Sequence, residues 1–216
     1  MWAMDTARPQ KASGHPKDRE ATKRRLIAAV GRVLARQGFR AVGVNAVARE
    51  AGVDKVLIYR YFDGLPGLVA AFSREGGFWP DVDELAGGDR QAFLALPFAE
   101  RMVAATRNYL RCIRARPLTQ EILSWRFLEH NELTEALDTT RAEVGEAFLE
   151  LCASGVTLPP VDLTAFNALI GAAVHHLVVR ELHDPAFAGL PLDDPASWER
   201  LEAMLGNIIR GVLDKN

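Results

Sequence analysis

Two short helical segments that meet at one glycine constrain this chain more than any other stretch. Val44, Val47, Ala48 and Ala51 recur at the spacing of a single helix face, and Gly52 follows at once. Asp54 then offers a side-chain oxygen to cap a second piece, Lys55 to Phe62, in which Ile58 and Phe62 stand one turn apart. Val53, between the two, reads as a buried turn residue. Gly52 supplies the backbone freedom that so tight a reversal demands, and Ala48 and Ala51 are small enough for two helices to approach. A helix, a turn with glycine and another short helix make a helix-turn-helix. The β-branched residues near 53–58 would also suit a strand, but the alanine-rich helix before them and the Asp54 cap favour helix.

The same period runs through the rest of the chain. Upstream, Leu26, Ile27, Val30, Val33 and Leu34 form an apolar stripe that Asp18 precedes and Gly38 ends. Residues 1–17, with Pro9, Ser13, Gly14 and Pro16, read as a loosely held basic arm. Pro66 opens a helix to about Glu75, and the glycines and proline between Gly76 and Asp89 read as a connecting loop. Phe98, Met102, Ala105, Tyr109 and Cys112 mark a helix that Pro117 stops. Leu118 to His130 and Glu132 to Cys152 make two more. Asp162 caps a helix to about His183, 185–195 is loop, and a last helix runs from about Ala196 to Leu213. Nothing reads as a sheet and no repeat appears. The expected fold is all-α, of about nine helices, divided into the arm, a three-helix head at 18–64 and a helical body at 65–216.

Net charge would mislead here. The chain carries 26 Lys and Arg against 28 Asp and Glu, for −2, which argues against a partner rich in phosphate. Residues 1–62, however, hold thirteen basic and five acidic side chains, a net of +8, and the rest of the chain nets −10. A basic module fused to an acidic one points to two jobs, the first of them at a polyanion.

The run from Gly38 to Val53, continued by Ile58, Tyr59, Arg60, Tyr61 and Phe62 and then Leu68, resembles the helix-turn-helix of the tetracycline-repressor (TetR) family. The resemblance covers about residues 20–72. It implies a double-stranded DNA operator, a homodimer, and a C-terminal domain that binds a small-molecule effector. The exposed face of the second helix then makes sense, because Val56, Leu57, Tyr59 and Tyr61 are a poor solvated surface but suit a major groove. There Val56 and Leu57 would touch thymine methyls and Lys55 would reach guanine. The resemblance implies a phosphate bond for Tyr59 and a base or phosphate contact for Asn45, with Arg25, Arg60 and the arm adding salt-dependent attraction. Four positions depart from the family pattern. Val56 replaces a usual Gly, Asp54 a capping Ser or Thr, Gly43 a capping Thr, and Leu65 a phosphate-touching Lys.

In the body, two stripes suggest a four-helix interface between copies. One comprises Phe166, Ile170, Ala173 and Leu177, the other Trp198, Leu201, Leu205, Ile208 and Val212. For the effector site, Phe98, Met102, Tyr109, Trp125, Phe127 and Phe166 are candidate apolar walls. Arg126, Glu129, Asn167 and His175 are candidate orienting groups. His175 and His176 cannot both face one way on a helix. His176 and His183 without a third ligand make a poor metal case, so no metal and no cofactor are expected. Neither is catalysis, since G-x-S-x-G, Walker and H-E-x-x-H patterns are missing from the sequence. Cys112 and Cys152 lie forty positions apart with no C-x-x-C. That spacing suits a reducing compartment. With no apolar N-terminal run and no uninterrupted run of membrane length, a cytoplasmic location is expected. The sequence therefore predicts a transcriptional regulator, a repressor released from DNA by an apolar or amphipathic ligand. The alternative is a ligand-independent DNA-binding protein with an architectural or partner-controlled role.

Overall fold

The computed structural model describes residues 16–75, 77–126 and 131–214. Helix α1 (Pro16–Gln37) starts two residues before the expected Asp18 cap, with proline in its first turn. It buries Leu26, Ala29, Val30, Val33 and Leu34 along one face. Gly38, at φ 75°, ends it and donates to the Leu34 carbonyl at 3.0 Å. A single 3₁₀ turn, Phe39–Ala41, then inserts Phe39 into the core.

Helix α2 is Val44–Ala51, as read from the sequence. Its end is a Schellman motif. Gly52 takes the left-handed conformation (φ 63°, ψ 41°), its N–H bonds the Arg49 carbonyl at 3.1 Å, and Val53 N–H reaches back to Ala48 at 3.1 Å. Asp54 caps the next helix through a 2.8 Å bond from the Val56 N–H, and α3 runs Val56–Phe62. Asp63 and Gly64, both at positive φ, turn the chain into α4 (Leu65–Glu75). Gly67 is required there, because a Cβ at that position would lie 1.8 Å from the Phe62 carbonyl oxygen.

The body contains seven more helices among the described residues: α5 (Val82–Leu85), α6 (Arg90–Leu94), α7 (Phe98–Arg114), α8 (Pro117–Arg126), α9 (Glu132–Ala153), α10 (Leu163–His183) and α11 (Pro195–Leu213). The stretch expected to be loop before Asp89 thus holds a helix. Asp81 and Glu84 close a reciprocal capping box around α5, and Asp89 caps α6. Both helices are shorter than the window in which periodicity is visible. The expected loop after His183 also holds structure, a two-residue antiparallel ladder of β1 (Ala186–Phe187) and β2 (Leu190–Pro191) turned by Ala188 and Gly189. Eleven α-helices among the described residues therefore replace the expected nine or so.

One buried cluster runs unbroken from Leu26 and Ile58 in the head, through Leu68 and Phe72 of α4, to Leu123, Leu137, Val178 and Trp198. A second gathers Phe93, Phe98, Met102, Phe148, Cys152, Phe166 and Ile209 at the far end. Helix α4 packs on α1 and α3 on one side and on α9 on the other, so the head joins the body through packed helix rather than through a linker. Ion pairs lace α11 to α7, through Arg210 with Glu100 and Arg111 with Glu202. Helix α10 is long and apolar enough to cross a membrane by length and composition alone, though its sequence holds no uninterrupted apolar run of that length.

Candidate functional site

On the head, Lys55, Val56, Tyr59 and Arg60 all point to solvent, Val56 60% and Tyr59 58% exposed. These are large apolar and amphipathic groups held rigidly in water, since Ile58 beneath them is fully buried. Leu57 and Tyr61, expected on the same face, are instead half-buried against the core. The seven-residue helix turns them toward α1 and α4, and the Tyr61 ring lies 5.5 Å from the Arg19 guanidinium and 5.9 Å from that of Arg60. Asn45 is exposed in the first turn of α2. Gly43 gives that helix no side-chain cap, so its leading amides carry no acceptor from the cap residue. Arg25 has another task besides charge. It donates to the Ala51 carbonyl at 2.6 Å and to Gly52 at 3.3 Å, satisfying the end of α2. Arg32 (2.6 Å) and Arg36 (3.4 Å) hold Glu50. The Arg32 hydrogen bond, aided by the surrounding positive charge and opposed by burial, keeps that carboxyl below its usual range.

In the body, a cavity of about 190 Å³ opens between α7, α9 and α10. Helix α7 contributes Met102, Ala105, Thr106 and Tyr109; α10 contributes Asn167, Ile170, Gly171 and His175; Trp79, Pro80 and Leu85 close one end. The third wall is α9, with Arg141, Val144, Gly145, Phe148 and Leu149. Tyr109 and His175 form a polar pair across α7 and α10, hydroxyl to Nε2 at 2.6 Å. The buried Arg141 Nε and Asn167 Nδ2 make no hydrogen bond. Asp138 lies 3.8 Å from that Nε, close enough to balance charge and too far to accept its proton.

Of the expected pocket residues, Met102, Tyr109, Asn167 and His175 line this cavity. His175 turns inward and His176 outward, onto Phe187. Phe98 and Phe166 do not line it; both are buried in the second core cluster. Trp125 sits instead at a separate depression beside α8 and α10, under the Arg40 guanidinium at 4.8 Å. The Arg126 side chain, Phe127, Glu129 and residues 1–15 of the arm fall outside the described residues. Sequence reasoning missed the whole α9 wall. The signal was present: Arg141 stands in register with Val144, Phe148 and Leu149, a lone charge on an apolar stripe.

The expected interface stripes also need correction. Trp198, 2% exposed, donates its indole N–H to Leu192 O at 2.6 Å, and Phe166, Leu177 and Leu205 are buried within the chain. Ile170 lines the cavity, Val212 packs on the second cluster, and Ala173 and Leu201 are half-buried. Only Ile208, at 46%, is an exposed large apolar residue of that set. The outward apolar groups lie one helix position away, at Leu169 (71%) on α10 and Met204 (57%) on α11. Most of the stripe read from sequence, though not Ile208, folds inward, because a helix with two apolar faces gives no signal of which one the body covers.

Among the described residues no three His, Cys, Asp or Glu side chains group as metal ligands. Burial pushes the Cys152 thiol up to about 12 against the opposing charge of Arg101.

Residues 26–72 match the family described as bacterial regulatory proteins, tetR family. No curated protein matches the chain. Solved structures share its fold at low identity. The fatty acid degradation regulator FadR of Bacillus halodurans is 17% identical, with TM-score 0.61 over 94% of this chain and 100% of its own. FadR of Bacillus subtilis, solved with stearoyl-CoA, is 14% identical, with TM-score 0.58 over 86% and 96%. A putative TetR-family regulator from Rhodococcus sp. is 21% identical, with TM-score 0.57 over 89% and 99%.

Proposed function

From the match of residues 26–72 to the tetR family of bacterial regulatory proteins, we propose that the chain is a homodimeric DNA-binding repressor released by a small ligand held in its body. The observation that carries this reading is the pairing of a rigid, exposed α3 face with a mostly apolar cavity behind it. Val56 and Lys55 suit thymine methyls and guanine acceptors in a major groove. Tyr59, Arg60 and Asn45 suit backbone phosphates, and the +8 segment supplies the salt-dependent part of the affinity.

Dimerisation is supported by the uncovered sides of α10 and α11. Ala165, Ala168, Leu169 and Ala172 on one, with Ala203, Met204, Ile208 and Gly211 on the other, are exposed small and apolar groups. Two such helices from each copy make a four-helix contact and space two heads for two half-sites. The ligand acts by binding more tightly to the arrangement whose head spacing no longer fits the operator, and by linkage DNA weakens the ligand to the same degree.

The test is fluorescence anisotropy with DNA flanking the chain's own gene. Binding is expected, with a Kd that rises steeply with salt and at least tenfold on Tyr59→Ala or Lys55→Ala. Failure to bind any genomic fragment at low salt defeats the proposal.

A further inference from the structure

We propose that the cavity takes a small monocarboxylate with an apolar body of about eight carbons, an inference that rests on the ligand-binding reading above. The polar groups facing that space are unequal in kind. Arg141 Nε and Asn167 Nδ2 are hydrogen-bond donors, buried and unmatched. Buried donors are rarely left orphaned, and where they are the vacancy calls for an acceptor. A carboxylate brings acceptors only, with room for several donors at once. A neutral alcohol or amide would bring a donor that neither Arg141 Nε nor Asn167 Nδ2 can accept.

Charge points the same way. Asp138 stands 3.8 Å from the Arg141 Nε without consuming its proton, and Arg141 is the one guanidinium or ammonium among the described lining side chains, so a single carboxylate can share it and a second anionic group finds no cation of its own. Tyr109 and His175, held to each other at 2.6 Å, stand in the same wall. The remaining lining, including Met102, Phe148 and Ile170, is apolar apart from the Thr106 hydroxyl.

Size sets the upper bound. A dry cavity of roughly 150 Å³ holds benzene, so about 190 Å³ holds a ring or chain slightly larger. An eighteen-carbon chain such as that of the stearoyl-CoA in the Bacillus subtilis protein exceeds it about twofold on the same scale.

The full-length protein is titrated with octanoate and with 1-octanol, reading Tm and calorimetric Kd, and then the Arg141→Met and Asn167→Leu variants are treated alike. Octanoate is expected to bind at least tenfold more tightly than octanol. Arg141→Met, which keeps the apolar volume, should abolish that preference while octanol binding persists, and Asn167→Leu should reduce it. Octanol binding as well as octanoate, or a preference that survives Arg141→Met, overturns the proposal, as does failure of both probes to bind. The operator experiment separates this from the reading it rests on. Arg141-dependent octanoate binding that leaves DNA affinity unchanged supports the carboxylate site and defeats the effector role. Release of DNA by octanol and octanoate alike keeps the effector role and defeats the carboxylate site.

Discussion

Arg101 is 4% exposed and has no carboxylate partner in any ion pair of the described residues. Its guanidinium donates to four backbone carbonyls, those of Leu94, Leu96 (2.9 Å), Cys152 (2.8 Å) and Ser154 (2.7 Å). Two of these belong to the C-terminal end of α9 and two to the turn from α6 into α7, so one side chain ties three helices. Arg101→Met keeps the length and the apolar stem and removes every donor. Four charge-assisted bonds at about 1.5 kcal/mol each come to roughly 6 kcal/mol, and the cation also loses the favourable field of the α9 terminus, about 0.5–1 kcal/mol. Against this, the variant no longer desolvates a charge, which returns several kcal/mol. The expected net loss is about 3 kcal/mol. Arg101→Lys should lose roughly 1–2 kcal/mol, because an ammonium has three donors at one point and no fork. Urea unfolding followed by circular dichroism, at one fixed protein concentration, measures both, with the m-value unchanged if compactness is preserved. A methionine variant within 0.5 kcal/mol of the parent, or a lysine variant weaker than the methionine one, refutes the idea that the clamp stabilises.

Gly52→Ala places a Cβ at φ 63° and 3.3 Å from Arg25 Nη2, so thermal unfolding should show a loss of about 1–2 kcal/mol, concentrated in the head. Leu169→Glu with Ile208→Glu should convert the proposed dimer to monomer by sedimentation and weaken operator binding, while the circular dichroism spectrum stays unchanged. The carboxyls of Glu50 and Glu100 are held below their usual range chiefly by the Arg32 and Arg210 hydrogen bonds. Their stabilisation is therefore present above the ordinary carboxylate pKa and is lost as pH falls through the depressed folded values; Tm should drop on acidification, and less steeply in Glu100→Gln. A thiol reagent at pH 8 should label the half-buried Cys112 and spare Cys152, whose thiol stays protonated up to about 12.

The head was legible in the sequence because each local signal agreed with the next. Gly52, Asp54 and the Val47–Ala48–Ala51 spacing each specify backbone geometry within a few residues, and the structure places a Schellman turn, a cap and a helix there. The body was legible as helices but not as faces. Apolar spacing located α10 and α11, yet which stripe turns inward depends on α7, and that packing is set by residues nearly a hundred positions away, such as Arg111 with Glu202. Short α5 and α6 escaped because four or five residues hold less than two turns, and only the Asp81 and Glu84 box announced the first of them. Phe98 and Trp125 fit an aromatic pocket by composition. The cavity instead lies against α9, where a single arginine on an apolar stripe was the clue.

Helix α9 faces the cavity with Arg141, Val144 and Phe148 and carries α4 along the same length of the molecule. Only Asp63 and Gly64 separate α4 from the helix proposed to enter the groove. The cavity and the seat of the head are thus two rooms with one partition. On the proposed reading, a substitution that widens one room moves the wall of the other, and ligand affinity and basal DNA affinity should then change together. Variants selected for a larger ligand through α9 should arrive with altered DNA affinity before any ligand is added, and restoring it should call for compensation on α4 rather than on the exposed face of α3.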